Sequence, residues 1–102
     1  MADARTIQVV VVTPERAVLD EPAESAVLPV FDGELGVLPN RAPLTARLGP
    51  GELRLSGGSG RRFFIDGGFA QVTSGADGRT VVTVLTGRAV PSARGVRQSA
   101  GR

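Results

Sequence analysis

A chain of 102 residues, 41% of them apolar, is long enough for one domain with one modest core. It contains no cysteine, histidine, tryptophan or tyrosine, which removes disulfides, thiolate and imidazole metal sites, cysteine nucleophiles and every histidine-based acid–base scheme. The formal charge of +2 is unevenly spread: residues 1–87 hold eight arginines against ten acids, a net of −2, whereas residues 88–102 hold four arginines and no acid, so a nearly neutral body carries a basic tail.

Residues 6–12 (TIQVVVV) predict a first strand from their β-branched content. It closes at Thr13-Pro14, where proline removes a donor and restricts its neighbour. Two short strands follow at 17–19 and 25–28, separated by an acidic stretch that contains Pro22. The Asp32-Gly33 turn leads to apolar segments at 35–38 and 44–48, with Pro39 and Pro43 forcing an extended, donor-poor crossing between them. Gly49-Pro50-Gly51 reads as a turn, and residues 52–56 after it alternate like a half-buried strand. Gly57, Gly58 and Gly60 reverse the chain into residues 61–66, so these two segments predict a hairpin. Gly67-Gly68 introduces a strand at 69–73, and the turn at 75–78 introduces residues 79–86, the most strand-like run in the chain.

No proline-free and glycine-free window keeps an i, i+3, i+4, i+7 apolar stripe, and turn signals recur roughly every 8 to 12 residues, so an all-β sandwich or barrel is expected over residues 1–90. Residues 91–102 are small, polar and basic, with Val96 the one sizeable apolar side chain, and read as a flexible tail. The first residues lack the basic start and apolar stretch of a secretory signal, and no apolar run approaches the ~18 residues that span a bilayer, so a soluble chain is expected.

The inventory disfavours catalysis. A phosphate-binding P-loop needs a lysine, of which there is none, and the 57–60 glycine run precedes a strand rather than a helix. Asp32 and Glu34 are the closest candidate carboxylate pair, but such proximity is ordinary for a surface turn. Arg61-Arg62-Phe63-Phe64 has the look of a single-strand nucleic-acid platform. Strand alternation, however, sends Phe63 and Phe64 to opposite faces, and the negative body supplies no phosphate-neutralising stripe. What remains is the loop at 33–44: stiffened by prolines, it loses little entropy on docking and presents Glu34 outward.

Residues 33–53 (GELGVLPNRAPLTARLGPGEL) resemble the signature of the epsilon subunit of F-type rotary ATP synthases, GELG, a hydrophobic residue and LPNHAPL ahead of an LKPG-like turn. Residues 7–15 (IQVVVVTPE) resemble that family's opening strand, 64–72 (FIDGGFAQV) its Gly-Gly-Phe element and 81–85 (VVTVL) its closing strand. The resemblance covers roughly residues 6–90. It implies a flattened ten-stranded β-sandwich without activity of its own, part of a rotor that couples ion-driven turning of a membrane c-ring to the gamma shaft and so to ATP synthesis. It further implies contact with the c-ring loops through Glu34, Leu35, Gly36 and Arg41, and with gamma through Val11 and Thr13. No cofactor, metal or nucleic acid is implied. Membrane association is expected only through partners, on the cytoplasmic side of a bacterial inner membrane.

Two departures stand out. Arg41 replaces the usual histidine, keeping a charged hydrogen-bonding group at that position. The helical hairpin that can bind ATP or inhibit hydrolysis in typical members has no counterpart before Arg102, so a rotor part without that switch is expected. The competing expectations are a β-sandwich adaptor or weak oligonucleotide binder using Arg61, Arg62 and the tail, and a small hydrolase built on Asp32 and Glu34.

Overall fold

The computed structural model describes residues 6–92, and every regular element among them is a strand. In chain order these are β1 (Ile7–Val12), β2 (Ala17–Ala23), β3 (Ser25–Val30), β4 (Gly33–Val37), β5 (Leu44–Ser56), β6 (Arg62–Ser74), β7 (Thr80–Leu85) and β8 (Ala89–Pro91). Hydrogen bonding runs β2-β1-β7-β6-β5-β3-β4, with β8 also on β6. Neighbours are antiparallel except for β1 and β7, which are parallel.

The architecture follows from the two long strands. β5 and β6 pair from Leu44↔Val72 to Arg54↔Arg62 in one unbroken register, which places Gly49 opposite Gly67. Gly67 and Gly68 have φ of 81° and 118°, a region other residues avoid, and there the ribbon folds over. Beyond this bend β6 changes partner: residues 69–74 pair with β7, residues 63–65 with β8. One layer therefore contains β2, β1, β7 and the adjoining halves of β6 and β5, and the other contains β8, the remaining halves, β3 and β4. Counted by halves, each layer has five segments, which reconciles eight strands with the ten-stranded expectation. Gly49-Pro50-Gly51 is thus a bend inside β5 rather than a turn between strands. Glycine and proline signal both events alike; the unbroken ladder distinguishes them.

The acidic stretch before Ala23 is likewise strand rather than connection, since Asp20, Glu21 and Pro22 pair with Val10, Val9 and Gln8. β2 is an edge, where proline loses no ladder bond and carboxylates discourage further pairing.

Alternation fills the space between the layers. Ile7, Val9 and Val11 of β1 and Val82 and Val84 of β7 meet Leu28, Leu53 and Phe63 of the other layer in one cluster. Fully burying each such aliphatic side chain is worth about 1.5–3 kcal/mol, so closing the layers on each other is the main stabilising event. The sheet continues past residue 90: Pro91 pairs with Phe63, the buried Ser92 donates its N–H to the Arg62 carbonyl at 2.8 Å, and its hydroxyl donates to Glu52 Oε2 at 2.9 Å. The rest of the expected tail, residues 93–102, lies outside the described residues.

Candidate functional site

The β3–β4 hairpin turns through Phe31 and Asp32 and lays β4 along the outer side of β3, with Glu34 opposite Pro29, Leu35 opposite Leu28 and Gly36 opposite Val27. β4 ends the strand order, so its far edge is open. The parity that packs Leu35 against the core and buries Val37 turns Glu34 and Gly36 outward. Arg54, on β5 two strands away, reaches across to Glu34, with Nη1 at 3.3 Å from Oε2. With the Glu34 side chain 58% exposed, such a pair contributes on the order of 0–1 kcal/mol and fixes an orientation more than it stabilises the fold.

Gly36 is informative for what does not require it. A Cβ built there meets nothing within 4 Å, and its φ is not among the positive ones. Neither packing nor backbone conformation of this chain demands glycine, so the missing side chain leaves bare backbone on an open edge, as a close approach by another chain would need. Glu34 and Gly36 therefore share one outward surface, while Leu35 between them packs against the core.

Arg41 belongs elsewhere. Asn40 adopts φ of 68° and donates its N–H to the hydroxyl of Thr80 at 2.8 Å, which clamps the β4–β5 loop to the start of β7. Exposed Arg41 follows that clamp, outside the hairpin that carries Glu34. Val11 has 0% exposure: its side chain is enclosed in the core and has no surface to offer a partner, because β1 alternates with Ile7, Val9 and Val11 inward. The outward positions are Val10 and Val12. Thr13, 8% exposed, closes the turn into β2: its N–H donates to the Arg16 carbonyl at 2.9 Å and its hydroxyl to the same oxygen at 3.2 Å.

The chemistry of the competing expectations is not assembled. Arg61 pairs with Glu21 at 3.3 Å and Arg62 with Glu52 at 3.8 Å, while Phe63 is buried and Phe64 exposed, so the arginine and phenylalanine pairs make no one-sided stacking surface. Glu34 is engaged by Arg54 rather than by Asp32. Among the described residues no group of three or more acids is placed to hold a metal ion, and no helix is long and apolar enough to cross a membrane.

A concavity of about 410 Å³ lies beside Glu34, between the hairpin and the first half of β5, with Leu35, Leu44 and Ala46 on its wall and Phe31 and Arg47 on its rim. Sequence reading missed this rim. Its signal was there: Phe31 is a bulky apolar residue directly before an Asp-Gly turn.

Residues 6–92 match the family model for the β-sandwich domain of the ATP synthase delta/epsilon chain. The chain is 58% identical over 87 residues to the ATP synthase epsilon chain of Rhodopirellula baltica, covering 84% of this chain and 64% of that one. It is 35% identical over 69 residues to the sodium-ion-specific ATP synthase epsilon chain of Propionigenium modestum, covering 67% and 50%. Among solved structures, a chain in the Euglena gracilis mitochondrial ATP synthase with F1 and c-ring superimposes with a TM-score of 0.73 at 26% identity, over 95% of this chain and 62% of that one. A chain in the central stalk and c-ring structure of the Tetrahymena thermophila mitochondrial ATP synthase shares the fold, with a TM-score of 0.56 at 18% identity over 78% of this chain and 63% of that one. The chain thus spans less than two thirds of the length of these relatives.

Proposed function

The chain belongs to the ATP synthase delta/epsilon family, and on that membership we propose that it is a non-catalytic subunit of the rotor of an F-type ATP synthase. In this role it turns with the c-ring and the gamma shaft and transmits torque between them, while catalysis resides in other subunits. The ring-facing segment is Glu34, Leu35 and Gly36, with Glu34 and Gly36 outward and the Leu35 side chain toward the core, and Arg41 is a second, separate contact beyond the Asn40 clamp. The gamma-facing surface lies at the end of β1 beside Thr13, where Val12 rather than Val11 is turned outward. The protein is held at a membrane through these partners. The bacterial source of the similar epsilon chains favours the cytoplasmic side of a bacterial inner membrane.

The observation that carries the reading is the edge surface on β4. An exposed carboxylate oriented by Arg54, beside a glycine that the fold does not need, supports a docking edge over a catalytic pair. Tagged at its N-terminus and expressed in its own cells, the chain is expected to bring gamma and the c-ring out of detergent-solubilised membranes in constant proportion. Recovery of the tagged chain with neither partner would overturn the reading.

A further inference from the structure

The two ends of the strand order are guarded differently. β2 carries Asp20, Glu21 and Pro22, charges and a proline of the kind that keep an edge from pairing further. β4 holds no proline and a single charge, Glu34, which Arg54 already balances. The direction of its backbone groups follows from its neighbour β3. Pro29, opposite Glu34, has no N–H to give β4, and Phe31, of the same parity, donates its N–H to Arg47 of β5. Backbone groups alternate sides along a strand, so Ala26, Leu28 and Val30 bond to Val37, Leu35 and Gly33, while Glu34 and Gly36 direct their N–H and C=O groups past the edge of the sheet.

This edge is complementary to itself. A two-fold axis at Leu35 sets Glu34 against Gly36 of a second, antiparallel copy, and Gly36 against its Glu34, so that outward donors meet outward acceptors at both pairs. Each Glu34 then faces a position without a side chain and with open space around it, and no carboxylate is opposed by another. The two Leu35 side chains meet on the inner side of the seam, beside the concavity that Leu35 lines with Leu44 and Ala46. The same axis brings residues 31 and 32 of each copy alongside 39 and 38 of the other. Phe31, 70% exposed, and Leu38, 64%, are the most exposed large apolar side chains among the described residues, and they flank this edge at its two ends.

We propose that the unassembled chain pairs with a second copy of itself through β4, antiparallel and in register about Leu35. A strand of five residues from each copy makes a contact smaller than the roughly 1,200 Å² of a stable complex, so the pair forms and parts readily. On the rotor reading this is also the edge that faces the ring, so pairing and ring docking exclude each other, and the free chain keeps its docking edge covered.

The test is sedimentation equilibrium of the full chain alone at concentrations up to about 1 mM. The parent is expected to show a reversible monomer–dimer equilibrium. Gly36→Glu sets carboxylate against carboxylate at both pairs and is expected to weaken dimerisation at least about tenfold. Adding Glu34→Lys to Gly36→Glu opposes an ammonium group to each new carboxylate and should bring dimerisation back to within about threefold of the parent. Leu85→Arg, on the outer face of the other layer, should leave it within about twofold. Gly36 is exposed, in open space and without a positive φ, so its variants should melt close to the parent. Should Gly36→Glu fail to fold, Leu38→Asp, which faces Asp32 of the second copy, is expected to weaken dimerisation in its place. A chain that stays monomeric throughout the range would overturn the pairing. So would a dimer indifferent to Gly36→Glu and Leu38→Asp, or one dissolved by Leu85→Arg. Loss with Gly36→Glu that the double variant does not restore would overturn the register about Leu35. No second protein takes part, so each of these results leaves the rotor reading standing.

Discussion

Gly68 packs so closely against Leu85 that a Cβ on it would lie 2.1 Å from the Leu85 carbonyl oxygen. Backbone cannot retreat as a flexible side chain does, and φ at Gly68 is 118°, so any side chain there meets both a clash and a strained conformation. Gly68→Val is expected to destabilise by at least about 3 kcal/mol, which for a domain of this size lowers the melting temperature by roughly 10–20 °C or prevents folding. A thermal melt unchanged from the parent would contradict the close packing of β6 on β7.

Glu34→Lys is expected to leave the fold within about 1 kcal/mol of the parent, since an exposed ion pair is worth little and the change sets two cations side by side in water. Its effect should fall on assembly: purified c-ring should retain the variant at least tenfold less well than the parent. Equal retention would place the ring contact elsewhere.

Gly36→Ala separates fold from function most cleanly. With open space around the position and no positive φ, alanine should be neutral or stabilising by up to about 1 kcal/mol, because it restricts the unfolded chain. If β4 docks through bare backbone, the same variant should bind the ring more weakly despite its stability. A drop in melting temperature would show instead that the glycine serves the fold.

Ser92 marks where the folded body extends. A chain ending at Ser92 keeps the N–H bond to the Arg62 carbonyl and the hydroxyl bond to Glu52, and a chain ending at Val90 loses both. Two hydrogen bonds, one to a carboxylate, make the longer form more stable by roughly 2–4 kcal/mol, readable by urea denaturation of the pair. Identical midpoints would argue that the two Ser92 hydrogen bonds add nothing.

Much of this architecture was legible in the residues, and its gaps have physical causes. Residues 80–85 read plainly as a strand, but each parity holds one threonine and two aliphatics, so it is the pairing with β1 and β6 that turns Val82 and Val84 inward. The four valines of β1 hide their phase, because each is apolar enough to face either way; Ile7 and the pairing with β7 decide it, which is why Val12 and not Val11 reaches the surface. The bends at Gly49 and Gly67 were visible as glycine but not as continuations of one ladder, because local sequence does not record which strand pairs across it. The exposure of Phe69 and Leu85, neighbours across β6 and β7, was likewise hidden, because which parity faces outward is set by the pairing.

The most direct test of the rotor assignment is capture of purified chain by the gamma subunit of the same genome, with an Arg61→Glu/Arg62→Glu variant alongside. The account predicts stable one-to-one capture, unaffected by the double variant because neither arginine lies beside Thr13 at the end of β1. No capture, with both proteins shown to be folded, would contradict it.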